Sequence, residues 1–288
     1  MKLLRAKTAG FCMGVDLALK KLAALIPPGS SETPDPAAPI LTFGPIIHNP
    51  QVLEEYAAKG VRVVNDPGDI PPEATVVIRA HGIPEPVRQS IAARGARLVD
   101  ATCPKVKKAQ TLIAAQANHG KELLLFGEDE HPEVKGLLSY ATAGARVFDS
   151  MDELERLDLP HGPTYFLAAQ TTQDEQEFLR IRDYLRSRFG SDLTVLSTIC
   201  NATMNRQQEA MDLAAAVDFM VVVGGHDSGN TRRLAQVART AGTPCVHVET
   251  ARELSPDMFV GKHTIGLTAG ASTPKKIIDS IQKALEAL

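Results

Sequence analysis

Three stretches decide how this chain is read: KLLRAKTAGFC (2–12), ARLVDATC (96–103) and DLTVLSTIC (192–200). Each is a short strand-like run that ends at a cysteine, and the cysteines are spaced by 91 and 97 residues. A period near a hundred residues is the size of a domain, so it points to three copies of one unit and not to a solenoid of small repeats.

Working outward, the same order of elements recurs between the cysteines. After Cys12 come strand ILTF, a helix from Pro50, strand VRVV, a turn at DPGDI, strand TVVIRA, a helix from Pro84 and the strand into Cys103. After Cys103 come ELLLF, a helix from Pro132, ARVF, DSMDEL, TYFLAA, a helix from Asp174 and the strand into Cys200. After Cys200 come FMVVV, a helix from about Thr231, CVHV, ETAREL, HTIGLT and a last helix from Pro274. Strands alternating with helices indicate parallel sheets in an α/β protein. The third copy runs out of chain before its final strand, and the N-terminal strand has the character to fill that gap. The expected fold is therefore three pseudo-symmetric α/β units: residues 13–102, 103–199, and 200–288 completed by 1–12. In the last helix, Ile277, Ile281, Leu285 and Leu288 fall on one face, as packing residues would. The proline- and serine-rich stretch PPGSSETPDPAAP (27–39) is expected to be a mobile surface loop.

In parallel sheets ligands bind beyond the carboxyl ends of the strands, where loops lead into helices. The repeat concentrates reactive residues there. The first loop of each copy carries Cys12, Cys103 or Cys200; the second carries His48, His131, or Ser228 with Asn230; the third carries His81, Thr171 or Ser272. Thiolates recurring at one place in a threefold repeat suit a soft metal centre, an iron–sulfur cluster or zinc. A cubane cluster held by three thiolates would leave one iron open, placing the cluster at the centre of the three units. Cys245 has no counterpart in the other copies and reads as a core thiol. His48, His81 and His131 each stand between a strand and a proline-marked helix start, where unpaired N–H groups favour phosphate. With the hydroxyl and amide donors of Thr171, Ser228, Asn230 and Ser272 they form a set suited to a diphosphate. Capping of the following helix is the structural role open to Ser228, Asn230 and Ser272. His119, His161, His226, His247 and His263 do not recur and are expected to be structural or solvated. Glu133, two residues past His131, is an acid at a helix start, favoured there by the dipole alone but also placed to supply a proton.

Composition excludes other classes. With 31 basic and 34 acidic residues the formal charge is −3, so no global basic field for nucleic acid exists. The N-terminus lacks the apolar length of a signal peptide, and no run reaches the ~18 apolar residues of a membrane span. Cytoplasmic localisation without a disulfide framework is expected.

The motifs GFCMGVDLA, IIHNP, RAHGIP, DATCPKV, EHPEVKG, AAQTTQ, ICNATMNRQ, GHDSGNTRRL and TAGASTP, in this order, resemble the 4-hydroxy-3-methylbut-2-enyl diphosphate reductase family throughout the chain. The resemblance implies a three-lobed fold and a [4Fe–4S] cluster on Cys12, Cys103 and Cys200. It also implies substrate contacts from His48, His81, His131, Thr171, Ser228, Asn230 and Ser272, and proton supply by Glu133 with Thr171 and His131. The implied reaction is reductive removal of an allylic hydroxyl. Where the family usually has Ser-Ser-Asn this chain has Ser228-Gly229-Asn230, so one hydroxyl contact is lost. No GxGxxG fingerprint follows a strand, which points to ferredoxin or flavodoxin as electron donor in place of a bound nicotinamide. Two rival readings are a cluster-bearing redox sensor, which would not need Glu133 and the diphosphate donors, and a zinc hydrolase, which would be colourless where a cluster is brown.

Overall fold

A computed structural model describes residues 1–26 and 38–288. Most of the loop expected at 27–39 thus lies outside the described residues. The strands are β1 (Lys2–Arg5), β2 (Ile40–Phe43), β3 (Arg62–Val64), β4 (Thr75–Ile78), β5 (Arg97–Asp100), β6 (Glu122–Phe126), β7 (Ala145–Phe148), β8 (Tyr165–Ala169), β9 (Thr194–Val195), β10 (Phe219–Val223), β11 (Cys245–Val248) and β12 (Thr264–Ala269). They form three four-stranded sheets in the orders β3-β2-β4-β5, β7-β6-β8-β9 and β11-β10-β12-β1, and every pairing is parallel. The orders are the same if β1 is taken as the last strand of the third repeat. Leu3 lies opposite Ile265 and Arg5 opposite Leu267, so the start of the chain completes the third sheet.

The inner strands are mostly apolar because both faces are covered, the usual condition of a parallel sheet, with the buried Thr42 and Thr268 among the exceptions. In the third sheet Val221, Val223, Leu267 and Ala269 pack with Ile278, Ile281 and Leu285 of the last helix. Val222, on the opposite face, packs with Ala210, Leu234 and Val237 from helices Asn201–Ala214 and Gly229–Thr240. In the second sheet Leu123, Leu125, Phe166 and Ala168 pack with Ile113 and Val134. In the first, Leu41, Phe43, Val76 and Ile78 pack with Ile83 and Ile91. Full burial of such side chains contributes about 1.5–3 kcal/mol each.

Two expected details change. The packing face of the last helix, Lys275–Glu286, is Ile278, Ile281 and Leu285; Ile277 sits at its margin, and Leu288 lies past the helix end at 52% exposure. The helix expected from about Thr231 begins at Gly229, because Ser228 caps it. By compactness the chain divides into two units, Met1–Asp16 with Ile47–Glu55 and Asn201–Leu288, and Leu17–Ile46 with Tyr56–Cys200. The first holds the third sheet and the second holds the other two. We propose 13–102, 103–199 and 200–288 with 1–12 as the boundaries of the repeat; compactness groups the same residues differently. Among the described residues no helix is long and apolar enough to cross a membrane.

Candidate active site

The three repeat cysteines have one local geometry. Cys12 N donates to Ala271 O at 3.1 Å, Cys103 N to Ala80 O at 2.9 Å and Cys200 N to Thr171 O at 3.0 Å. In each case the acceptor lies two residues beyond the end of a central strand, β12, β4 or β8. Each cysteine then leads directly into a helix, Met13–Ala23, Pro104–Ala117 or Asn201–Ala214, whose N-terminal N–H groups favour negative charge nearby. All three are partly buried cysteines outside any disulfide. Cys245 differs: it sits in edge strand β11, packs against core clusters, and burial pushes its thiol up to about 11.

In the larger unit the Cys200 amide bonds back to the Thr171 carbonyl, and Thr171 in turn grips Glu133. The Thr171 amide donates to Glu133 Oε1 at 2.6 Å and its hydroxyl to Oε2 at 2.9 Å. Glu133 is 1% exposed. Burial raises its carboxyl to about 7, with the two Thr171 bonds pulling the other way. A buried acid of that pKa can both hold and release a proton near neutrality. His131 precedes helix Pro132–Leu138 and caps it, its Nδ1 accepting from Glu133 N at 3.1 Å. An accepting Nδ1 leaves the proton of the neutral ring on Nε2. The His131 ring stands edge-on to His81 with centroids 5.1 Å apart. His81 follows Ala80, whose carbonyl holds the Cys103 amide. Cys103, His81, His131, Glu133, Thr171 and Cys200 are thus linked in one unit by contacts between successive loops.

In the smaller unit Cys12 is tied to Ala271, and the next residue, Ser272, donates from Oγ to His48 O at 3.2 Å. A Cβ on Gly225 would lie 2.9 Å from the same His48 carbonyl oxygen, so glycine there lets the two loops meet. Gly224, at φ +147, likewise leaves no room for a Cβ, which would fall 2.6 Å from Thr273 Oγ1. Ser228 caps helix Gly229–Thr240, its Oγ accepting from Thr231 N at 3.4 Å, as its structural role required. Asn230 does not serve as a cap. Its Nδ2 is buried and has no hydrogen-bond partner among the described residues. An unmade bond of this kind costs about 1–3 kcal/mol, which a ligand acceptor would recover.

Of the remaining histidines, His226 pairs with Glu253 at 3.0 Å and lies 4.6 Å, centroid to centroid, from His247, which donates from Nε2 to Gly224 O at 2.8 Å. The His247 bond supports the glycine turn. His263 donates its amide to Asp218, and His161 packs on Phe189. Sequence reasoning missed Asn49, whose Oδ1 caps helix Pro50–Ala57 through Val52 N at 3.1 Å, one residue after His48. It also missed the glycine that directly follows the first strand of every repeat (β2, β6 and β10), at Gly44, Gly127 and Gly224, although FG, FG and VG close the three apolar runs.

The family description "LytB protein" matches residues 3–286. The 4-hydroxy-3-methylbut-2-enyl diphosphate reductase of Solidesulfovibrio magneticus (strain ATCC 700980 / DSM 13731 / RS-1) is 81% identical over 286 residues, covering 99% of each chain. That of Nitratidesulfovibrio vulgaris (strain DSM 19637 / Miyazaki F) is 57% identical over the full length of both. Among solved structures, the E-1-hydroxy-2-methyl-but-2-enyl-4-diphosphate reductase of Plasmodium falciparum has a TM-score of 0.90 at 26% identity, covering 100% of this chain and 87% of that one. A structure of (E)-4-hydroxy-3-methyl-but-2-enyl diphosphate reductase has a TM-score of 0.68 at 35% identity with both chains fully covered. Fold, buried acid and relatives together define an α/β oxidoreductase. The chain belongs to the LytB family, that of the 4-hydroxy-3-methylbut-2-enyl diphosphate reductases.

Proposed function

We propose that this enzyme reductively removes the hydroxyl of (E)-4-hydroxy-3-methylbut-2-enyl diphosphate in the non-mevalonate pathway, consuming two electrons and two protons and releasing isopentenyl or dimethylallyl diphosphate with water. The observation that carries this reading is the buried Glu133–Thr171 pair: a carboxyl raised to about 7, with a hydroxyl on one oxygen and an amide on the other. Loss of hydroxide from an allylic carbon is unfavourable unless the departing oxygen is protonated. Glu133 holds that proton, and the Thr171 hydroxyl, able to donate or accept, passes it on. The Nε2–H of His131 is a further donor. His48, His81, Ser228, Ser272 and the orphaned amide of Asn230 take the diphosphate.

Cys12, Cys103 and Cys200 fit a [4Fe–4S] centre as donors: three cysteines outside any disulfide with the same backbone anchoring, each opening a helix. When bound, such a cluster supplies electrons singly and keeps one iron without a protein ligand. Ferredoxin or flavodoxin in the cytoplasm provides the electrons, consistent with the lack of a dinucleotide fingerprint.

Anaerobic purification with iron, sulfide and electron-paramagnetic-resonance measurement tests the metal, and product analysis after chemical reduction tests the reaction. Single Cys→Ser changes at 12, 103 and 200 should strip or damage the centre, and Cys245→Ser should leave it intact. Equal iron in all four variants would overturn the assignment.

A further inference from the structure

Six residues separate the end of β1 from Cys12, against two between Asp100 and Cys103 and four between Val195 and Cys200. Ordering backbone costs about 1–2 kcal/mol per residue, so the longest of the three loops has the greatest need of anchors. The shorter loops are held locally. Asp100 Oδ1 accepts from Thr102 N at 2.9 Å, and Thr198 Oγ1 both accepts from Ala169 N and donates to Ala169 O at 2.7 Å.

The Cys12 loop is held from far along the chain, by helix Asn201–Ala214. Glu209 accepts from Lys7 N at 2.7 Å, from Thr8 N at 2.8 Å and from the Thr8 hydroxyl. Arg206, three residues earlier and 4% exposed, donates to Thr8 O at 2.6 Å, Gly10 O at 3.0 Å and, at 3.4 Å, Ala269 O. A carboxylate thus holds the amides, and a guanidinium the carbonyls, of one turn. The Ala269 carbonyl ends β12, the strand whose following loop carries Ala271, the acceptor of the Cys12 amide, and Ser272. Burial pulls the Glu209 carboxyl up, but the bonds from Thr8 and Lys7 outweigh it and hold it below the ordinary range. It therefore stays ionised and its bonds are charge-assisted.

We propose that Arg206 and Glu209 are positioning residues that lock the Cys12 loop onto the end of β12, so that the Cys12 thiol is presented as a ligand without further ordering of the chain. The inference rests on the reading of Cys12 as a cluster thiolate; Arg206 and Glu209 themselves act only through the loop. Lysine at 206 keeps the charge but cannot span the Thr8 and Gly10 carbonyls as a planar fork does. Glutamine at 209 keeps the shape but accepts with one oxygen where the carboxylate uses two.

The test uses the full chain, purified anaerobically and exposed to iodoacetamide with an iron chelator, each cysteine being followed by mass spectrometry. In the parent, Cys12 should be alkylated in step with Cys103 and Cys200. In Arg206→Lys and in Glu209→Gln the Cys12 rate should rise roughly tenfold relative to Cys103, with Cys245 unchanged, as expected when a charge-assisted bond closing a local opening is lost. A ratio that stays within about twofold in both variants, or a rise shared by all four thiols, overturns the proposal. Should Arg206→Lys fail to fold, Glu209→Gln decides alone. Iron retained at the parental level in Cys12→Ser would defeat the cluster reading instead. The labelling ratio, measured within one chain with or without iron, would still decide whether the clamp exists.

Discussion

The two compact units treat one structural position in opposite ways. At the helix that follows the first strand of the repeat, β6 or β10, the larger unit has His131-Pro132-Glu133 and the smaller has Ser228-Gly229-Asn230. In both, the first of the three residues caps the helix, His131 through Nδ1 and Ser228 through Oγ. The third residue then diverges. Glu133 is ionisable, buried and fully bonded to Thr171, whereas Asn230 is neutral, buried and left with an open amide. In the function proposed above, this one scaffold position serves as a proton store in one unit and a ligand donor in the other. The cap is what the repeat retains, and the residue two places on is free to take up chemistry.

The largest effect should come from the acid. Glutamine matches glutamate in shape and can still accept the Thr171 amide, but it carries no transferable proton. Glu133→Gln should keep parental iron and substrate binding while turnover falls by ~10²–10⁴-fold, the usual share of a general acid. Single-turnover assays with a chemical reductant measure this free of any redox partner. Turnover within about threefold of the parent would reduce Glu133 to an acid held at a helix start for structural reasons.

A second effect concerns stability and has a definite sign. The folded Glu133 carboxyl lies near 7 where an ordinary glutamate lies at 4.5. A raised acid makes its full contribution to stability below the unfolded value and loses it as pH rises through the folded value. Between pH 4.5 and about 7 the parent should therefore lose stability relative to Glu133→Gln, by at most about 3 kcal/mol. Urea unfolding of metal-stripped chains across that window gives the difference directly. Parallel profiles for the two proteins would mean that the buried carboxyl is not raised.

Much of this contrast was legible before any coordinates. The repeat of cysteine-ended strands gave the three sheets, and the missing last strand of the third copy pointed to β1, because parallel sheets leave such regular apolar runs in sequence. The residues of the candidate site could be named for the same reason, since they cluster at strand ends. What escaped depends on tertiary contact. Nothing local marks Arg206 and Glu209 as anchors, since their partners at Thr8 and Gly10 lie about 200 residues away in sequence. Helical period alone misjudged Leu288, because the helix stops at Glu286, and it overlooked Ile278, which packs with Ile281 and Leu285 while Ile277 packs at the margin of the row. The role of Asn230 was also undecided in sequence, where capping and ligand contact use the same residue types.

That last ambiguity yields the smallest and most discriminating test. Ser228 makes a cap bond, so Ser228→Ala should lower stability by about 1 kcal/mol. Among the described residues Asn230 makes no bond through Nδ2, and its removal relieves a buried unsatisfied donor, so Asn230→Ala should leave stability unchanged or raise it. The same substitution should weaken inorganic diphosphate binding by roughly tenfold, the worth of about 1.4 kcal/mol, because the ligand then loses a donor already stripped of water. Calorimetric titration and thermal melting of the two variants separate the roles. If Asn230→Ala lost stability as a cap does while binding diphosphate like the parent, Asn230 would be structural. The division of labour between the two helix entries would then rest on Glu133 alone.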